Sequence, residues 1–509
     1  MSTTQDGRPQ VSADDAQLKA LGYEQKFERQ MGLWANFALG FLYLSPLVGV
    51  IALFAQGLTT AGPPAVFWIF IVAAGQFLVA LVFGEVVAQY PLAGGLYQWA
   101  RRLWSGRYAW LLSWIYICGV IIGITTTALF SADFVASLLF GTADDPGAQS
   151  SPGSRLVIAV IVTAIGLVLN ATGTRTLARI SKIGLAAELV GVIAVGLYLL
   201  VFQRHQPFSV FFDTMGTGGH GEGYFGPFLA ASLVGLLLFY GFEACGEVAE
   251  EVPDPARRIP RAMQLTVLVG GGSALLSYAG YVLAAPDLPA IVSGDVGNPI
   301  PAILQNSLGS VGTKAFLVVA LTSFLACVMG QQAAASRLVF SFARDDMFPG
   351  SHVFSRISAK RHVPVNALIA VNIPPLALFL FVYFAPDSLF RIAAFQMLAG
   401  YVAFQMVVLA ALRMRLKGWR PAGAWSMGKA GLPVTVAALL YGILAMILLA
   451  QPTGDSDLPF YDRWIALIGF LIVAGAGLAY LLTVRPGDRS DAQEGDAIEV
   501  ARRLRDQRP

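Results

Sequence analysis

Apolar runs of about 20 residues, the length at which an α-helix crosses the hydrocarbon core of a bilayer, recur along almost the whole chain. They fall at residues 34–57, 65–90, 110–138, 156–169, 184–202, 226–248, 263–283, 315–340, 365–384, 389–412, 432–449 and 464–484. Such a chain must satisfy its backbone polar groups within the lipid-embedded part. An all-α membrane protein of about twelve transmembrane helices is therefore expected. Composition agrees: 56% of the residues are hydrophobic and only 13% charged, outside the range of soluble domains.

Charge placement sets the expected orientation. With the N-terminus inside and connections alternating, all 34 Lys and Arg except Arg155, Arg204, Lys314, Arg391 and Arg463 fall on the cytoplasmic side, as the positive-inside rule requires. The inner clusters include Arg101-Arg102, Arg175 with Arg179 and Lys182, Arg257-Arg258 with Arg261, and Arg413 with Arg415 and Lys417; the outer loops carry Asp144-Asp145, Asp287, Asp295 and Asp455. The net charge of +3 thus reads as a topogenic pattern, with no nucleic-acid partner. Residues 1–33 and 485–509 read as polar, flexible cytoplasmic tails around one transmembrane domain at 34–484, with no cleavable signal peptide. Cys118, Cys245 and Cys327 lie inside separate apolar runs and read as small fillers, without metal-ligand or disulfide spacing.

Two of the apolar runs are interrupted. The first contains Phe37-Ala-Leu-Gly-Phe-Leu-Tyr-Leu-Ser-Pro-Leu-Val-Gly49 and the sixth Leu236-Leu-Leu-Phe-Tyr-Gly-Phe-Glu-Ala-Cys-Gly-Glu247. An opened helix in hydrocarbon must place its freed backbone groups on protein, water or a ligand, and such segments build the substrate sites of many secondary transporters. Each break opens a set of five runs, an odd number, so two halves, 34–202 and 226–412, would have opposite orientations. An inverted 5+5 repeat with two extra helices at 432–484 is expected.

Three motifs carry a family resemblance. Phe83-Gly-Glu-Val-Val-Ala-Gln-Tyr-Pro-Leu-Ala-Gly-Gly-Leu-Tyr-Gln-Trp-Ala100 resembles the acid-to-Pro-x-x-Gly-Gly-x-Tyr stretch of the amino acid–polyamine–organocation transporters. Tyr240-Gly-Phe-Glu-Ala-Cys-Gly-Glu-Val-Ala-Glu-Glu-Val-Pro-Asp-Pro-Ala-Arg-Arg-Ile-Pro260 is similar to the helix-6 signature of that superfamily, and Ser336-Arg-Leu-Val-Phe-Ser-Phe-Ala-Arg-Asp-Asp-Met-Phe-Pro349 resembles its helix-8 exit. The Gly-Gly-Leu-Tyr-Gln-Trp wording is similar to the branch handling amino acids, γ-aminobutyrate and choline. The resemblance implies a leucine-transporter-like fold, helices 1 and 6 discontinuous, with substrate held between helices 1, 3, 6, 8 and 10.

The physical reading places the site at the same breaks. A helix N-terminus carries about half a positive charge and can hold a carboxylate without a buried Arg. The backbone of Ser45, Pro46, Leu47, Val48 and Gly49 is therefore the candidate for one side of the site, Pro46 opening the helix by removing a donor. On helix 6, Phe239, Tyr240 and Phe242 are candidates for pocket wall or gate, and Gly241 permits the turn. Glu243 is a carboxyl group near mid-membrane, a position that usually marks a pathway or relay. It is read as a group that binds a substrate amine, titrates during transport, or accepts hydrogen bonds from the opened helix-1 backbone. Glu188 in helix 5 is the second such acid. In some proton-coupled relatives a helix-5 Lys replaces a sodium ion, and Glu188 falls at that position with inverted charge. It reads equally as a proton site or as a structural hydrogen-bonding group.

Gln331-Gln332 in helix 8 and Gln396 or Gln405 in helix 10 are candidates for lining the cavity or for bridging helices, with Gln332 included in the substrate-binding set. Asp133 is expected to face an outer vestibule, and Glu85, Arg257-Arg258 and Arg344-Asp345 to anchor the inner gate. No cofactor or metal is expected, and no enzymatic motif is found. The expected function is a plasma-membrane secondary transporter for amino acids or related small amines. It would work by alternating access, with protons as the coupling ion. An exchanger or a sodium-coupled carrier is the alternative; an intramembrane enzyme or an ion channel is the alternative from another class.

Overall fold

Every regular element in the computed structural model, which describes residues 13–142, 145–218, 223–386, 388–452 and 459–506, is helical. Asp144 and Asp455 of the outer loops lie outside the described residues. Among those described, eleven helices are long and apolar enough to cross a membrane. In chain order, with the interrupted stretch counted as segment 6, they are segment 1 (Leu33–Ala61), 2 (Pro63–Gln89), 3 (Gly106–Phe140), 4 (Pro152–Ala171), 5 (Thr174–Phe202), 7 (Pro255–Ala284), 8 (Pro299–Arg344), 9 (Val365–Phe384), 10 (Ser388–Leu416), 11 (Gly428–Leu449) and 12 (Ile465–Val484). Segment 6 is a set of short pieces, Phe225–Ala230, Leu233–Leu238, Ala244–Glu247 and Ala249–Glu251. It is not one rod.

Burial orders the segments from centre to rim. The apolar window of segment 1 is 94% buried by protein, while those of segments 11 and 12 are only 28% and 17% buried. Segment 1 is therefore the central element, and segments 11 and 12 present apolar side chains such as Leu440, Ile472 and Leu482 outward, as lipid-facing helices do. Segment 7 packs along segments 2 and 1, segment 3 along segments 8 and 10, and segment 11 against segments 10 and 2. Close helix approach runs through small residues: a methyl on Gly235 would overlap the Trp68 backbone of segment 2.

Segments 1, 5, 6 and 8 depart from regular α-helix. Segment 1 changes course at Ser45, whose φ of 41° lies in the left-handed region. Segment 5 contains a π-helical turn at Val190–Ala194, a device that recurs at functional sites. Segment 8 is kinked at Gly309.

The tails correct one expectation. Where described, they are folded against the basic-rich end of the bundle. Leu18, Leu21 and Phe27 are buried, and so are Ala497, Val500 and Ala501 of a C-terminal helix, Ala497–Asp506. The reason is the Arg101-Arg102 pair on the short helix Gly95–Leu103, which is buried and must find acceptors. Arg101 donates to Ser490 Oγ and the Ala492 carbonyl, at 2.9 and 2.7 Å. Arg102 pairs with Asp496 and donates to the Leu21 carbonyl. Composition signalled polar tails; it held no sign of the buried cations they serve.

Candidate binding site at two helix breaks

The local chemistry of segment 1 explains its break. Pro46 has no N–H, so the first link of the continuing ladder is missing. Ser45 then caps the second half, Pro46–Ala61, accepting the Val48 N–H at 3.3 Å. Leu47 N–H, which in an unbroken helix would bond the Tyr43 carbonyl, donates instead to Glu188 Oε1 at 3.1 Å. Ser45 Oγ donates to the same oxygen at 2.8 Å. The abandoned Tyr43 carbonyl accepts the Cys327 thiol of segment 8 at 3.3 Å. Gly49 N–H returns to the Ser45 carbonyl, at 3.0 Å, and restores the helix.

Segment 6 opens between Leu238 and Ala244. Gly241 sits there with φ of 125°, a conformation nearly closed to residues with a Cβ. Glu243 folds back so that its Oε2 accepts the Gly241 N–H at 2.9 Å, while its Oε1 accepts the Tyr116 hydroxyl of segment 3 at 2.7 Å. The two breaks meet: a Cβ on Gly241 would lie 2.7 Å from the Leu44 nitrogen. Below them, Asn36 Nδ2 donates to the Cys245 carbonyl at 2.9 Å and ties the two segments together.

A small cavity of about 40 Å³ lies beside this junction, lined by Tyr43, Leu44, Val48, Gly49, Ala52, Thr126, Thr127, Phe130, Leu237, Tyr240, Cys327, Gln331 and Gln396. Segments 1, 3, 6, 8 and 10 all contribute. Tyr43 and Tyr240 meet edge to face at 5.7 Å, and Tyr240 stacks on Phe404 at 5.6 Å. Thr126 donates to Gln396 Oε1 at 2.9 Å, and Gln331 Nε2 donates to Thr127 at 3.1 Å, leaving Gln331 Oε1 without a partner among the described residues. A wider space of about 310 Å³ shares Ala52 and Phe130 with the cavity and contains Asp133, paired with Arg155 at 3.1 Å. This is a vestibule. The inner cavity, at about 40 Å³, is far below the ~300 Å³ of a typical ligand pocket.

The residues singled out in the sequence divide here. Val48, Gly49 and Tyr240 line the cavity. Ser45, Pro46 and Leu47 form the break behind it, held by Glu188, and Glu243 sits behind Tyr240 and Tyr116. Phe239 packs on Gly271, and Phe242 on Phe83 and Phe404. Gln332 points elsewhere: its amide donates to Asn372 Oδ1 at 2.7 Å and to the Thr163 carbonyl at 3.0 Å, bridging segments 9 and 4. Its neighbour Gln331 takes the cavity position. Tyr43, Thr126, Thr127 and Phe130 were missed; the Thr125-Thr126-Thr127 run, three hydroxyls in an otherwise apolar span, was the available signal. Tyr116, the partner of Glu243, carried none.

At the basic-rich end the chain is closed by buried ion pairs. Arg337 meets Glu251 at 2.8 Å, Arg344 meets Glu250 at 2.8 Å, and Arg415 pairs with Glu85. Tyr23 of the N-terminal tail donates to Asp345 at 3.0 Å; burial pushes its phenol up to about 12. No group of His, Cys, Asp and Glu suited to a metal ion occurs among the described residues.

The profile of the amino acid permease family matches residues 32–476, which contain both breaks, the cavity and all eleven long helices except the end of segment 12. The chain belongs to that family. This amino acid permease is 26% identical to Amino-acid permease BAT1 of Arabidopsis thaliana, over 92% of its own length and 93% of the relative's. It is 24% identical to a putative polyamine transporter of Candida albicans, over 96% and 91% of the two chains. An uncharacterized amino-acid permease of Schizosaccharomyces pombe is 25% identical over 87% and 83%. With eleven candidate spans, the permease is a multi-pass membrane protein.

Proposed function

We propose that this permease is a secondary active transporter that moves amino acids or related small amines across the plasma membrane by alternating access, coupled to protons. The observation that carries the reading is the meeting of two helix breaks at a cavity built from five segments. A lone kink needs no partner, whereas paired breaks with redirected backbone bonds make a site that can rearrange without unfolding. The relatives named as an amino-acid permease and a polyamine transporter support the substrate class.

On this reading segment 6 is a twelfth, discontinuous span, and segments 1–5 and 6–10 are inverted repeats. The basic-rich end faces the cytoplasm. The vestibule then opens outward, while the Arg337–Glu251, Arg344–Glu250 and Arg415–Glu85 pairs seal the inner side. Glu188 and Glu243, acids deep in the bundle and tied to the breaks, are the proton-coupling candidates. The proposal is tested with purified protein in liposomes. Saturable, counterflow-competent uptake of an amino acid or amine is expected, and it should fall when the pH gradient is collapsed. Uptake that ignores the gradient and requires sodium would refute proton coupling; a non-saturable flux would refute the carrier.

A further inference from the structure

We infer that the Glu188 carboxyl group is this protein's own acceptor for the opened helix, and that it makes the cavity selective for small organic amines lacking a carboxylate over amino acids. The inference rests on the transporter reading above and narrows its substrate class.

An α-helix N-terminus attracts a carboxylate because its first N–H groups have no intrahelical partner. In segment 1 every such donor is already used. Pro46 has none, Leu47 N–H is on Glu188 Oε1, Val48 N–H is on Ser45 Oγ, and Gly49 N–H is on the Ser45 carbonyl. The Ser45 hydroxyl, the other donor at the break, is also on Glu188 Oε1. Glu188 is wholly buried, and its second oxygen has no hydrogen-bond partner among the described residues. A solute carboxylate would have to displace it. The displaced group, on segment 5 beside the π-helical turn, would lose both of its bonds inside the bundle.

The rest of the cavity fits a cation. Its wall contains no Lys, Arg or His, and the two carboxyl groups nearest the breaks are Glu188 and Glu243. The Gln331 Oε1 that borders it is an unused acceptor suited to an ammonium N–H. Tyr43, Phe130 and Tyr240 offer aromatic faces, which attract desolvated ammonium groups. The Thr126 hydroxyl and the Gln331 amide are already bonded to Gln396 and Thr127, while the Tyr43 and Tyr240 hydroxyls, without partners among the described residues, can accept from an ammonium as well as donate.

The test uses pairs of ligands that differ by one carboxylate: ornithine and 1,4-diaminobutane, leucine and 3-methylbutylamine, phenylalanine and 2-phenylethylamine. Binding to purified full-length protein is measured by titration calorimetry and uptake in liposomes. In whichever pair binds, the amine should bind at least about tenfold more tightly, the scale of a lost charge-assisted hydrogen bond. Glu188→Ala, which frees Leu47 N–H, should shift the amino acid/amine ratio toward the amino acid by about tenfold or more. Glu188→Gln keeps an acceptor on that donor and should shift the ratio less. A wild-type preference for the amino acid, or one ratio shared by wild type, Glu188→Gln and Glu188→Ala, would overturn the assignment. Should Glu188→Ala not fold, the wild-type ratio and Glu188→Gln still decide. Failure of every ligand to bind would instead sink the substrate class itself, and this inference with it.

Discussion

Adding one methyl group at Gly241 distinguishes a broken segment 6 from a continuous one. The residue has φ of 125°, and a Cβ would lie 2.7 Å from the Leu44 nitrogen and 2.8 Å from the Tyr43 carbonyl carbon, both main-chain atoms that cannot rotate away. Backbone strain of this kind costs about 1–3 kcal/mol. Overpacking against a fixed neighbour adds about 1–3 kcal/mol. Together they disfavour the described junction by roughly 30-fold to 10⁴-fold. Gly272, in the helical segment 7, has no atom within 4 Å of its would-be Cβ, so alanine there should be neutral or help by up to ~1 kcal/mol. If segment 6 were an unbroken helix, alanine at 241 would help in the same way. The sign of the effect is therefore diagnostic. Melting followed by tryptophan fluorescence should show Gly241→Ala several degrees below wild type and Gly272→Ala at or above it, with uptake lost only in the first. Equal melting and equal uptake for the two variants would refute the broken segment.

Three further outcomes follow from the site and its surroundings. Glu243→Gln turns one acceptor toward either the Tyr116 hydroxyl or the Gly241 N–H into a donor and should slow uptake per folded molecule by tenfold or more; Glu85→Gln, which breaks a buried pair with Arg415, should mainly lower the melting temperature, at a cost of about 3–5 kcal/mol. The reverse pattern would contradict the roles given to the two acids. Gln331→Leu should weaken substrate binding while sparing stability, whereas Gln332→Leu removes the donor to Asn372 Oδ1 and the Thr163 carbonyl and should lower the melting temperature with little effect on affinity; matched effects in both assays would contradict the split. Deleting residues 490–509 removes acceptors from buried Arg101 and Arg102 and should destabilise by about 3–5 kcal/mol, while Arg503→Ala, which breaks an exposed pair, should leave the melting temperature unchanged.

The parts legible in the sequence were those written locally. Pro46 and Gly241 announce the breaks because each carries its conformational effect in its own residue, and the spans announce themselves by length. Span ends were less legible: segment 3 runs over Gly106–Phe140 and segment 4 over Pro152–Ala171, both beyond their apolar runs, since capping by Ser105 and Ser151 extends helices into polar sequence. Gln331 and Gln332 were indistinguishable, because neighbouring residues differ by about 100° around a helix axis and only packing sets the phase. The grip of Glu188 on Ser45 and Leu47 spans more than 140 residues of sequence and has no local signature. Its carboxyl group was visible as an anomaly; its partner was not.

The fastening of both chain ends to one short helix bears on how this permease can be handled in the laboratory. Leu21 from the front of the polypeptide and Asp496 from its rear hold the same guanidinium, that of Arg102. Any swing of the Gly95–Leu103 helix must pull on Leu21 and Asp496 together, so a purification tag or fluorescent fusion placed beyond either residue adds a load near that swing. Spectroscopic labels placed on the C-terminal helix and on segment 9 would register the same movement directly, without touching the solute cavity.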